Sequence, residues 1–193
     1  MKNYRLRTVI FLALCCDLGL FAKRLISPLT NIVTDALHVP GGIATSFSLM
    51  FLVIAVILVP GGFCGTLMGA VQSVIALSFG MVGSMGALAP VGYIVPGLVI
   101  DLVLKGTAKT PLSRADRMAL ANGLAAISAA ATANLIVFRL SGIVLALYAC
   151  IALSSGILCG LLGAKIAQRL TPVIGVQIRQ DFKIKPIKDG VSV

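Results

Sequence analysis

The sequence predicts an all-α integral membrane protein: a bundle of six transmembrane helices with both termini in the cytoplasm. Three observations predict it. Hydrophobic residues make up 59% of the 193 and charged residues only 11%, with a mean hydropathy of +1.06, whereas a soluble domain is about a quarter charged. The turn signal VPGG occurs twice, at Val39–Gly42 and Val59–Gly62, and the interval between holds no charge. At about 1.5 Å rise per residue that spacing covers roughly 30 Å, the thickness of a hydrocarbon core. Third, the basic residues are distributed unevenly between alternate connections, as the positive-inside rule describes.

Each element follows in order. The opening MKNYRLRTVIFLALCC resembles the charged and apolar regions of a signal peptide. The apolar run continues past Asp17 to Phe21 with no A-x-A cleavage site, so 8–26 reads as a retained first helix. The segment 27–41, SPLTNIVTDALHVPG, is too polar to span and too apolar for a free linker. It is expected to fold back over the helix ends as a lid. Pro40 and Pro60 open helices two and three, 41–59 and 61–80, since a first-turn Pro breaks no helical bond. Helix four, 86–104, carries Pro90 and Pro96 and is expected to kink or partly unwind. Helix five, 118–138, is rich in Ala and reads as a helix packed by its neighbours. Helix six covers 142–168. The chain thus divides into a transmembrane domain, 1–170, and a basic tail, 171–193.

An even number of spans puts both termini on one side. Of the sixteen Lys and Arg, only Lys23, Arg24 and Arg139 fall on the other side. The remaining thirteen, in the N-terminus, the 105–117 loop, the end of helix six (Lys165, Arg169) and the tail, place that first side in the cytoplasm. The net charge of +10 is therefore topological, not a sign of nucleic-acid binding. The five Cys all lie in apolar runs, where they read as small packing residues with no disulfide framework.

Signatures of catalysis are missing. There is no GxxxxGK followed by Ser or Thr and no HExxH, and the sequence has one His and no Glu. Ser154 and Ser155 could supply a nucleophile, but His38 is assigned to the opposite half of the bundle. The chain reads as a non-enzyme with no catalytic cofactor.

Small residues recur at helical spacing: Gly61, Gly65 and Gly69 in GGFCGTLMGA, Cys15 and Gly19, and Gly156 and Gly160. Such stripes allow close backbone approach, either within the bundle or to a separate subunit. Two carboxylates lie in apolar segments, where ionisable groups are costly. Asp101 is expected to pair with Lys105 one turn on. Asp17, nearer mid-membrane, reads as paired to Lys23 or a backbone group, or as part of a proton relay. On the outer side Lys23, Arg24, Asn31, Asp35 and His38 gather with Thr45, Ser46, Ser48, Tyr93, Asn134 and Arg139. Polar groups converging on a Gly-rich bundle mouth suggest a small-molecule pocket, with interfacial snorkelling of the cations as the competing reading.

Taken together, the topology resembles the substrate-binding S components of energy-coupling factor (ECF) transporters. The opening RTVIFLALCCDLGLFAKRLISPL, the VPGG before helix two and GGFCGTLMGA carry the resemblance over roughly residues 5–170. In that family an AxxxA pattern on helix one engages the coupling subunit. Here Asp17 stands four residues after Ala13, and the nearest match is Cys15 to Gly19. The resemblance implies binding of a vitamin or other micronutrient from outside, beneath the first loop. It further implies partnership with a transmembrane coupling subunit and two cytoplasmic ABC ATPases in a bacterial plasma membrane, and toppling of the S component to carry the ligand inward. The substrate itself is not legible. Three outer cations against Asp35 favour a carboxylate or phosphate, and His38 offers an axial ligand to a tetrapyrrole metal such as that of haem or cobalamin. Competing functions are a self-sufficient secondary transporter or channel using Asp17 as coupling group, and a membrane scaffold or small membrane enzyme.

Overall fold

The computed structural model describes residues 6–36, 43–59, 62–80, 86, 88–139 and 142–172, and among these it is all-helical. Six α-helices follow one another: α1 Leu6–Ala36, α2 Ile43–Leu58, α3 Cys64–Ser78, α4 Ala89–Gly106, α5 Arg114–Ala133 and α6 Gly142–Leu170. A 3-10 turn, Thr107–Lys109, follows α4, and a π turn, Asn134–Phe138, ends α5. The two VPGG turns lie wholly or partly outside the described residues, as do Gly61, His38 and the 179–188 basic segment.

The first helix departs most from expectation. The segment expected to form a lid is helical through residue 36, and Pro28 sits inside α1. Its polar side chains are absorbed locally: Thr30 Oγ1 donates to the carbonyls of Ile26 (3.1 Å) and Ser27 (3.0 Å). A hydroxyl satisfied by its own helix does not force the chain to leave it. At 1.5 Å per residue α1 is about 46 Å long. Helix five begins at Arg114, before the expected 118, because Ser113 caps it. Ser113 Oγ accepts from the Asp116 N–H (3.1 Å) and donates to its carboxylate (2.8 Å). Pro90 lies in the first turn of α4, and α4 continues through Pro96 to Gly106.

Successive helices run in opposite directions, and α2 touches all five others. It is buried along most of its length, with Met50, Leu52 and Val53 at the centre of the core. The other contacts rest on glycines. A Cβ at Gly69 would strike the Tyr93 backbone, and one at Gly97 would fall onto the Gly65 carbonyl. Across α5 and α6, a Cβ at Gly156 would lie 2.7 Å from Gly123 Cα, and one at Gly160 2.6 Å from Ala119 Cα. Gly163 faces Met50, tying α6 to α2.

Helix α5 packs through its small residues. The buried side of α5 is Ala119, Ala121, Asn122, Gly123, Ala125, Ala126 and their successors, while Leu120, Leu124 and Leu135 point outward. Ile143, Phe79 and Leu158 are 80%, 73% and 67% exposed. Two helical stretches, Ala89–Lys109 and Gly142–Leu170, are long and apolar enough to cross a membrane by length and composition; Ile43–Leu58 and Cys64–Ser78 are shorter apolar helices.

Candidate functional site

Where the start of α4 meets the middle of α1, Lys23 is half-buried and Tyr93 is beside it. The Lys23 ammonium lies 4.9 Å from the centre of the Tyr93 ring, a distance at which the ring's negative face attracts a cation. Local packing explains the placement. Gly69 lets α4 approach so closely that the Tyr93 backbone rests on α3. Gly19 lets α1 settle against Ser48 and Gln72, and Lys23 is one turn beyond Gly19.

Deeper, three helices meet around Asn122, which is fully buried. Its Nδ2 donates to the carbonyls of Ser46 on α2 (3.1 Å) and Gly156 on α6 (2.8 Å). The hydroxyls of Ser46 and Ser155 are 2.9 Å apart. The Asn122 Oδ1 is buried with no hydrogen-bond partner, leaving one strong acceptor open in a nearly apolar interior. Gln72 makes a comparable tie, Nε2 donating to the Cys16 carbonyl at 3.1 Å. Because Gly19 meets Ser48, Lys23 one turn along α1 and Ser46 two residues back along α2 stand at about the same level.

Of the residues the sequence singles out, Lys23 and Tyr93 come together, and Ser46 joins Asn122 and Ser155. Asn134 is buried at the start of the π turn, where insertion of an extra residue per turn often marks a functional position. Arg24 is exposed on α1, and the ring contact of Tyr93 is with Lys23. Arg139 is exposed with φ of 46°, its N–H bonded to the Asn134 carbonyl (2.8 Å), and terminates the turn. His38 lies outside the described residues, and of Asn31 only the helical backbone is described. The sequence reading passed over Asn122 and Gln72 and weighed Ser155 only as a nucleophile. An amide in an Ala-rich apolar span is itself costly enough to have been a signal.

The expected docking stripes are used inside the chain. Cys15 is buried in the core, Gly19 faces α2 and α3, and Gly65 and Gly69 are covered by α4. A separate subunit therefore has no access to these positions; Gly61 is outside the described residues.

The carboxylates also differ from expectation. Asp101, 2% exposed, does not pair with Lys105. It accepts from the N–H groups of Gly65 (2.9 Å) and Thr66 (2.8 Å) and from the Thr66 hydroxyl (2.7 Å). These are free donors in the first turn of α3, where the helix dipole favours a negative charge. Lys105 instead lies 3.6 Å from the centre of the Phe63 ring, and Phe63 holds a left-handed φ of 62°. Asp17 is exposed on α1, and the Lys23 ammonium turns to Tyr93 instead.

Chemically, the Lys23–Tyr93 contact offers a cation for an anionic group and a stackable ring; the Asn122 cluster is a separate one, since Ser48 faces α1 and Ser46, on the opposite side of α2, faces α5 and α6. Among the described residues no three His, Cys or Asp side chains gather as a metal site. No family model, curated protein or solved structure matches this chain.

Proposed function

We propose that the chain is the substrate-binding membrane subunit of an ECF-type importer, crossing a bacterial plasma membrane six times with both termini inside. The exposed apolar surface supports the membrane setting. A surface carrying Leu, Ile and Phe at this density is unfavourable in water and suited to lipid. Four of the six helices are the apolar stretches named above. In α5 the apolar run is supplied by Ala, and in α1 it is interrupted by Asp17, Lys23 and Arg24.

One observation carries the binding function. Within this apolar bundle a half-buried ammonium stands over an aromatic ring. Such groups are expensive to bury and are what a small polar ligand would engage. The favoured ligand is a micronutrient carrying a carboxylate or phosphate for Lys23. A transmembrane coupling subunit and two ABC ATPases would supply the driving force. Asp17 points away from the interior, which counts against its use as a coupling group in a self-sufficient transporter.

The test is mild solubilisation from native membranes, followed by identification of co-eluting subunits and small molecules. A coupling subunit, two ATPases and an anionic ligand are expected. In the isolated chain, Lys23→Met should weaken that ligand about ten- to a hundredfold, the loss of one charge-assisted contact of roughly 1.5–3 kcal/mol. Arg24→Met should bind normally. A solitary chain that concentrates substrate under a proton gradient would contradict the proposal.

A further inference from the structure

The two described helical stretches long and apolar enough to cross a membrane carry the same order of side chains where they end. On α6 it is Leu158, Leu162, Lys165 and Arg169; on α4 and the turn after it, Leu98, Leu102, Lys105 and Lys109, at the same spacing and all exposed. Steps of four, three and four residues keep the α6 set on one helix face. From Gly142 to Leu162 is twenty residues, about 30 Å, the depth of a hydrocarbon core. Lys165 therefore stands at headgroup level, above leucines turned outward.

Three cations at this end of the bundle are answered from within the chain. Arg117 Nη2 donates to the Leu104 carbonyl (3.2 Å), Arg114 Nη1 to the Thr171 hydroxyl (3.3 Å), and Lys105 lies over Phe63. Lys165 and Arg169 differ. Among the described residues neither has a hydrogen-bond or ion-pair partner. The carboxylates at this end are engaged elsewhere, Asp101 with the first turn of α3 and Asp116 with Ser113. The α6 dipole favours Arg169 in the last turn but has faded at Lys165, and like charges one turn apart repel. An anion between them turns that repulsion into attraction. The tail beyond α6 is a poor source of it, carrying Asp181 and Asp189 against Arg179, Lys183, Lys185 and Lys188.

We propose that the 158–169 face of α6 binds an anionic phospholipid, with an acyl chain along Leu158 and Leu162 and the headgroup phosphate between Lys165 and Arg169. A lipid is favoured over a free phosphate ion because the two cations continue an exposed leucine stripe. Helix α4 is the built-in contrast. It has the same leucines, but its first cation is turned to Phe63. A headgroup held on α6 and not on α4 would anchor the depth of α6 in the bilayer. The inference rests on α4 and α6 facing lipid and is independent of what the chain transports.

The experiment places a photo-reactive amino acid at Leu162 or, for comparison, at Leu102 of the full chain. The protein is reconstituted in phosphatidylcholine vesicles containing a minor share of phosphatidylglycerol, and cross-linked lipids are identified by mass. At 162 the adducts should be enriched in phosphatidylglycerol over its share of the vesicle by on the order of twentyfold, about fivefold for each cation. At 102 the enrichment should not exceed about fivefold, with Lys105 held by Phe63. Lys165→Gln and Arg169→Gln should each lower the value at 162 about fivefold, and together should bring it to the vesicle composition. Phosphate ion should lower it no more than chloride does at equal ionic strength. Adducts at 162 that follow vesicle composition in the unaltered chain, enrichment that survives the double change, equal enrichment at 102, or adducts only to the 173–193 tail or another copy would overturn the proposal. So would a loss specific to phosphate ion, which assigns the pair to a soluble anion. No lipid adduct at either position would sink the membrane setting as well. Failure of the importer reading is seen separately, in whether the chain binds an anionic ligand at Lys23.

Discussion

Gly69→Leu should prevent α3 and α4 from packing. A Cβ at this position meets the backbone of Tyr93 and Ile94, not the tip of a mobile side chain, so rotamer changes cannot relieve it. Overpacking a core usually costs about 1–3 kcal/mol, and with backbone as the obstacle the cost should lie at or beyond about 3 kcal/mol. Monodisperse protein should be lost after mild solubilisation, although the chain still inserts into membranes. Gly106→Leu is the matched comparison, since a Cβ there meets nothing within 4 Å; it should shift stability by less than about 0.5 kcal/mol. The Lys23–Tyr93 arrangement depends on the same crossing, so partial folding of Gly69→Ala should be accompanied by weaker ligand binding.

The second large effect concerns Asp101. Replacing it with Leu strands the N–H groups of Gly65 and Thr66 in a buried α3–α4 contact, and each unsatisfied buried donor costs about 1–3 kcal/mol. Asp101→Leu should therefore destabilise the bundle by about 3 kcal/mol, read from denaturant unfolding of purified protein. Asp101→Asn keeps an acceptor and should lose less. Lys105→Met should cost less than about 1 kcal/mol, the value of an exposed cation–π contact. Equal losses for Asp101→Leu and Lys105→Met would restore the simple i,i+4 ion pair as the reason Asp101 is present.

The helices were legible because apolar length and turn residues act locally. Uncharged residues 43–58 fix α2, and Gly80, with φ of 64°, follows the end of α3 where a left-handed residue is needed. The missed start of α5 was also local, encoded in SRAD. The extension of α1 was not readable from polarity alone, because Thr30 answers its hydroxyl within the helix. Lys23, Tyr93 and Ser46 were legible as polar groups in an apolar chain. Their partners were not, since Asn122 and Ser155 are brought to Ser46 by long-range crossings. Small-residue stripes carried spacing but no address. The same Gly65 and Gly69 would serve a neighbouring subunit or α4, and only the fold distinguishes the two. Asp101 shows the same limit, with Lys105 near in sequence and the first turn of α3 near in space.

The most direct measurement is sidedness of labelling across the α5 helix. Single cysteines replace Thr110, in the connection before α5, and Arg139, at its far end, in a chain whose exposed Cys150 is changed to Ala. A membrane-impermeant maleimide is applied to intact cells and then to permeabilised ones. A bundle crossing six times with both termini inside predicts labelling at 139 in intact cells and at 110 only after permeabilisation. Labelling of both positions from one side, or of 110 alone from outside, would contradict it.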